Sequence, residues 1–270
     1  MRASFPAFFL AAALSLCLGG SSQNRADQMS PRGHPDWRVP TGALSAVEID
    51  QSELAVRLGF PDGFEGLGRV IFFELFQTNL GGWEIIGSGD FNGADIQTNR
   101  YFWQPASTRL TPGSTANQNI RLQKVVPRVV ARTMGMAVIF AITTDDVDIQ
   151  LRLDVNDSVL PDGYRVRVIG SSGAIAVLDD SSVYQTLATV GNMGSQARDW
   201  QYLKLVVDIE NRVYKTVQFN EQRLDASAFS PPTISTFDPP SIIINLFAED
   251  DTGNSEQLYV DSIVLTIDDP

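Results

Sequence analysis

After residue 40 the chain repeats one pattern: a short run rich in Val, Ile, Leu and aromatic residues, then a break built from Gly, Pro, Asn or Asp. Such breaks recur about every ten residues, the spacing of a β-sandwich or barrel, and helical periodicity is almost absent. Runs of this kind include "ELAVRLGF", "RVIFFELF", "GMAVIFAI", "VDIQLRLDV", "WQYLKLVVDI", "SIIINLF" and "LYVDSIVLTI". The stretches "NDSVLPDG", "GSSG", "NEQRLD" and "EDDTGNSE" are read as the turns between them. Glu210-Asn211 predicts a two-residue hairpin. No internal repeat and no second linker interrupts this body, so residues 41–270 are expected to form one all-β domain.

The preceding segment is of a different kind. Arg2 is followed by the apolar run "AFFLAAALSLCLGG" and then by polar "SSQNRADQ". The run is about a dozen residues, the length of a signal-peptide core and too short to span a bilayer. Residues 1–22 are therefore expected to be a secretion signal and residues 23–40 a flexible linker, making the protein secreted or extracytoplasmic. Cys17 is the single cysteine, and bulky Leu16 before it argues against a lipidated amino terminus. With the signal removed, the mature chain would carry no disulfide, thiolate nucleophile or cysteine metal site. The one histidine, His34, lies in the Pro-rich linker, which disfavours a Ser-His-Asp triad or a multi-histidine metal site.

Net charge is -12, which argues against nucleic acid or an anionic membrane as partner, since both need basic patches. Yet alternation collects basic groups locally. In "VDIQLRLDV", Val147, Ile149, Leu151, Leu153 and Val155 share one face and are expected in the core. The other face carries Gln150, Arg152 and Asp154, and the next run contributes Arg165 and Arg167. The same alternation in "WQYLKLVVDI" and "RVYKTVQF" puts Tyr202 and Lys204, then Tyr214 and Gln218, opposite the apolar positions. If these strands are neighbours, the surface is polar, basic and aromatic, as sugar sites are. The alternative is that the arginines pair with Asp148 and Asp154 on a solvated sheet.

Four segments in order, "FFELFQTNLGGWEIIG", "STRL", "DWQYLKLVVDIENRVYKTVQFN" and "LYVDSIVLTI", resemble the concanavalin-A-like jelly rolls of bacterial secreted proteins. That group includes lectins, laminin-G-like modules, carbohydrate-binding modules and several glycanase families, and the resemblance spans residues 70–267. It implies a two-sheet antiparallel jelly-roll sandwich. It also implies a structural calcium held by Glu74 and Asp261, with carbonyls of "GSGDFNG" completing the oxygen shell. Asp261 could instead cap a bulge or meet Arg69, and "AEDDTGN" is a rival chelating loop. Trp83 matches a family position that packs. Trp103, beside Tyr101 and Phe102, is read either as a binding rim or as core.

Jelly-roll glycanases commonly carry Glu-x-Asp-x-x-Glu on one strand, with carboxylates about 5 Å apart for a retaining mechanism. The nearest run, "DDVDIQLRLDV", has no glutamate, and Gly-x-Ser-x-Gly is absent. The sequence thus favours a secreted, non-catalytic carbohydrate-binding protein over its alternatives, a glycan-cleaving enzyme of the same fold or a structural envelope or adhesion protein. The expected ligand surface is Gln150, Arg152, Arg165 and Arg167 with Tyr202, Tyr214 and Trp103, suited to an anionic polysaccharide because guanidinium forks meet carboxylates.

Overall fold

The computed structural model describes residues 68–269, except 77–78, 90, 103–104, 157–160, 192, 194–199, 236–239 and 255. The expected signal and linker, Cys17, His34, the run "ELAVRLGF" and Trp103 lie outside the described residues. One sheet takes, in order, β13 (Gln222–Asp225), β12 (Val213–Phe219), β11 (Gln201–Asp208), β6 (Thr133–Ile142), β15 (Leu258–Ile267), β4 (Ser107–Gly113) and β3 (Phe91–Gln97). Its eighth strand, β1 (Arg69–Glu74), pairs with β15. The other sheet runs β10 (Tyr184–Thr189), β9 (Ala174–Leu178), β8 (Asp162–Ile169), β7 (Val147–Asn156), β14 (Ser241–Asp250), β5 (Gln118–Pro127) and β2 (Glu84–Gly87). Every pairing is antiparallel, giving the two-sheet jelly-roll sandwich.

The core lies between the sheets and is filled from both by alternate residues. Val147, Ile149, Leu151, Leu153 and Val155 of β7 meet Leu203, Leu205 and Val207 of β11 within one apolar cluster. Burying each such side chain contributes about 1.5–3 kcal/mol, which is why the alternation fixes which way a strand faces. Trp83 is core, packed on Phe72 and Phe76 at centroid distances of 6.0 and 5.7 Å.

Four strands escape the sequence pattern, β3, β4, β10 and β13. β3, β10 and β13 each end a sheet, where one side meets water and a polar composition costs little. The hairpin after β11 also differs from expectation. Asp208 pairs with Val213, so the turn is Ile209–Arg212 rather than two residues, with Arg212 at φ 56°. The Asp208 carboxylate accepts the Asn211 N–H at 2.9 Å and stabilises this longer turn.

Of four register shifts among the described strands, in β1, β10, β12 and β15, two bear on the faces read from the sequence. In β15, Val260 opposes Phe140 and Ser262 opposes Ile139, leaving Asp261 as the extra residue. Leu258 and Val260 face the core before it, and Ile263, Leu265 and Ile267 face the core after it. The bulge also marks a change of neighbour: residues before Asp261 pair with β4 and residues after it with β1. In β12, Lys215 is the extra residue between Tyr214, opposite Val207, and Thr216, opposite Val206.

Candidate functional site

The outward face of the seven-stranded sheet is organised in register rows. Arg121 of β5 opposes Phe247 of β14, which opposes Gln150 of β7, which opposes Arg167 of β8. The next row is Gln123, Asn245, Arg152 and Arg165. On the other side stand Asn119, Glu249 and Asp148. The rows surround a depression of about 230 Å³, faced by Arg121, Gln150, Arg152, Arg165, Arg167 and Phe247.

The four arginines are held differently. Arg167 donates from Nε to Asp148 Oδ2 at 2.8 Å, and its Nη2 lies 2.5 Å from that oxygen and 3.5 Å from Glu249 Oε2. Arg152 Nε meets Asp154 Oδ1 at 2.7 Å. Both aspartates are buried at 2% exposure. Burial pushes each carboxyl above its usual range, against the pull of Arg167 on Asp148 and of Arg152 on Asp154. Arg121 and Arg165 make no ion pair among the described residues, and the Nε of each is buried without a hydrogen-bond acceptor. The Arg121 guanidinium stacks over Phe247, 5.4 Å from the ring centroid. Burial lowers its pKa, and the like charge of Arg152 lowers it further.

The structure thus brings together Gln150, Arg152, Arg165 and Arg167. It separates the two tyrosines from them, which corrects the expected surface. β11 and β12 belong to the eight-stranded sheet, paired with each other and with β6 and β13, and not with β7 or β8. Tyr202 is 4% exposed on that other sheet, and Lys204 beside it is buried. Tyr214 is fully buried in the core, because the bulge at Lys215 inverts the face that strict alternation assigns. Neither phenol can meet a ligand on the arginine face.

Several residues of the site, among them Tyr184, Arg121 and Phe247, lie beyond what the sequence singled out. Tyr184, on edge strand β10, donates its hydroxyl to Gln150 Oε1 at 2.6 Å and lies 5.9 Å from the Arg167 guanidinium. Ala176, opposite Arg167 in β9, presents only a methyl group in the intervening strand. Arg121 lies in the short run "NIRLQKV" of β5, but only the sheet order shows which arginines it joins.

The carboxylates proposed for calcium are engaged with N–H donors. Glu74 Oε1 accepts the backbone N–H of Leu75 and Phe76 at 3.2 and 3.3 Å, and Oε2 accepts the Trp83 indole at 3.2 Å. Asp261 Oδ1 accepts the Phe102 N–H at 2.8 Å, and this side chain is fully buried at the bulge. In "AEDDTGN", Asp250 is likewise a turn former: its Oδ1 accepts the N–H of Thr252 and Gly253, its Oδ2 that of Glu256. Burial opposes ionisation there, but these backbone donors outweigh it and hold the carboxyl below its usual range. Among the described residues no group of three or more His, Cys, Asp or Glu side chains could hold a metal. Calcium needs six to eight oxygens, and this donor set does not fit it. The described residues thus show no calcium site at Glu74 and Asp261, which the register brings near each other, and Asp261 caps the backbone where β15 changes neighbours. Raising free calcium to millimolar levels is expected to leave the melting temperature unmoved in calorimetry, against a chelator reference; a steady rise with calcium would restore the metal.

No described helix is long and apolar enough to cross a membrane. A family model for a domain of unknown function, DUF6772, matches residues 184–269, from β10 past β15. No curated protein matches the chain. Among solved structures, the carbohydrate esterase vb_24B_21 of Shiga toxin-encoding bacteriophage phi24B is similar at 11% identity and TM-score 0.52, over 74% of this chain and 99% of that one. A lectin from Bauhinia forficata in complex with GalNAc matches at 11% identity and TM-score 0.48, over 72% and 96%. A β-glucanase of Bacillus licheniformis matches at 15% identity and TM-score 0.43, over 74% and 98%. The fold is the concanavalin-A-like jelly roll, as the resemblance implied.

Proposed function

We propose that this chain binds a carbohydrate without cleaving it, on the outward face of its seven-stranded sheet, and that the carbohydrate is an anionic polysaccharide. The observation that carries this reading is the depression where four arginines converge with Gln150 and Phe247 in a chain of net charge -12. Arginine forks bind carboxylates and sulfates, amides bind hydroxyls, and an aromatic ring stacks on the apolar face of a sugar. The likeness to a structure titled a carbohydrate esterase supports sugar as the ligand class. Export, expected from residues 1–22, belongs to the same reading and is checked by sequencing the amino terminus of secreted protein.

One observation favours cleavage instead: burial raises the Asp148 carboxyl, as in catalytic acids. Against it, Asp148 Oδ1 accepts the Gly170 N–H and Oδ2 accepts Arg167, while Glu249 turns to the same guanidinium. These carboxylates position an arginine. The deciding experiment is a glycan array probed with wild type and Arg165→Ala. Binding is expected among acidic glycans, with Arg165→Ala weaker by about 1–3 kcal/mol at a nearly unchanged melting temperature. Binding confined to neutral glycans, release of shortened product, or no binding at all would overturn the reading.

A further inference from the structure

We infer that Arg121 and Arg165 form an oxyanion subsite in this depression, with Arg152 between them, that takes the carboxylate or sulfate ester carried by one glycan unit. The inference rests on the binding reading above and divides its site into two unequal halves.

At one end, Arg167 lies against Asp148 and Glu249, with Asp251 at 4.0 Å, so its charge is already met by the chain. At the other end the pairing is looser. Arg152 pairs with Asp154 of its own strand, and Asp154 attracts Arg121 and Arg165, as Glu84 attracts Arg121, without a close ion pair to either among the described residues. Each buries an Nε–H that finds no acceptor, an arrangement native proteins rarely leave without a purpose. The like charge of Arg152 bears on Arg121. Cations converge in this way in a chain with 32 acidic and 20 basic residues.

The register explains how the pair can close on one group. Arg121 and Arg165 stand in adjacent rows on the two flanks, β5 and β8, with β14 and β7 between them, and both line the depression. The Phe247 ring lies under the Arg121 guanidinium, an attraction that favours keeping the cation over the depression. At about 230 Å³ the depression is smaller than the ~300–1,000 Å³ of ordinary ligand clefts. It therefore suits one substituent or ring, with the rest of the chain lying outside. A hydroxyl there would leave the charge unmet; a planar or tetrahedral oxyanion meets both forks.

The test has two parts on the full chain. Sodium sulfate is titrated at constant ionic strength against sodium chloride, following the arginine Nε–H resonances by NMR. Saturable shifts at Arg121 and Arg165, with Arg167 unmoved, are expected; no shift at either overturns the subsite. The tightest acidic glycan of the array is then compared with its carboxyl-reduced or desulfated form. Arg121→Gln should weaken the acidic form about ten- to hundredfold, the worth of a charge-assisted hydrogen bond, and leave the neutral form unchanged. Equal binding of acidic and neutral forms, or an Arg121→Gln variant that binds the acidic glycan like wild type, overturns the subsite while carbohydrate binding stands. If no glycan binds, the carbohydrate reading falls, and the sulfate titration alone decides whether the oxyanion subsite exists.

Discussion

Tyr214→Ala is expected to remove about 3–5 kcal/mol of folding stability, the range for deleting a large buried aromatic. The ring is fully buried and meets Tyr164 edge-on at 5.5 Å and 85°. Its hydroxyl crosses from the eight-stranded sheet to the other, donating to Leu178 O at 2.7 Å and accepting Arg165 N–H at 2.9 Å. Tyr164 returns the connection, donating to Asp208 O at 3.4 Å. Burial pushes both phenols well above their ordinary pKa, so neither ionises within the range where the protein folds. Tyr214→Phe keeps the ring but strands a carbonyl and an N–H, and is expected to cost about 1–3 kcal/mol. Because that N–H belongs to Arg165, the substitution should also loosen the strand that carries the oxyanion subsite. Denaturant unfolding of both variants is the measurement. An alanine variant with an unchanged midpoint and weaker glycan binding would return Tyr214 to the surface position that alternation assigns.

The case of Tyr214 shows where local pattern stops being informative. Alternation places every inward and outward residue of β7 correctly, because Val147–Asn156 pairs with β8 and β14 without a bulge. It fails in β12 after one inserted residue. In "LYVDSIVLTI" the same insertion is visible once the register is known: apolar residues fall at 258 and 260, then at 263, 265 and 267. The skipped step at Asp261 is itself a sequence signal of a bulge, which a metal reading of that carboxylate overlooks.

The site was half legible for a related reason. Gln150, Arg152, Arg165 and Arg167 come from strands consecutive in sequence and adjacent in the sheet, so alternation alone gathers them. Arg121 reaches them only because β14, more than a hundred residues later, inserts between β5 and β7. Tyr184 comes from an edge strand, "YQTLAT", in which no residue is fully buried and whose composition carries no core pattern. Nothing local distinguishes Tyr184 from a loop tyrosine. Sheet order is a property of the whole chain, and Arg121, Phe247 and Tyr184, whose place in the site depends on it, are residues the sequence did not single out.

The second large effect is expected at Lys204 and Asp269, whose pairing closes the carboxyl-terminal end of the fold. Lys204 Nζ lies 2.9 and 2.8 Å from the two Asp269 oxygens, and the residues are 6% and 3% exposed. Thr266 Oγ1 donates to Asp269 Oδ2 at 2.6 Å, and Thr133 Oγ1 donates to the Asp269 carbonyl at 2.5 Å. The carboxylate lies so close over β6 that a Cβ on Gly135 would come within 2.3 Å of its Oδ2. Removing one partner leaves the other charge buried and unmatched, so Lys204→Met and Asp269→Ala are each expected to cost about 3–5 kcal/mol. The double variant Lys204→Met/Asp269→Leu should recover most of that loss, since a buried pair gains little over apolar side chains of similar volume. Arg132 and Glu210, at 3.0 Å but with side chains 69% and 64% exposed, provide the contrast; Arg132→Ala should change stability by about 0–1 kcal/mol. A double-mutant cycle by urea unfolding separates the cases. Single variants at Lys204 or Asp269 no worse than Arg132→Ala would mean that water reaches this pair as it reaches the exposed one.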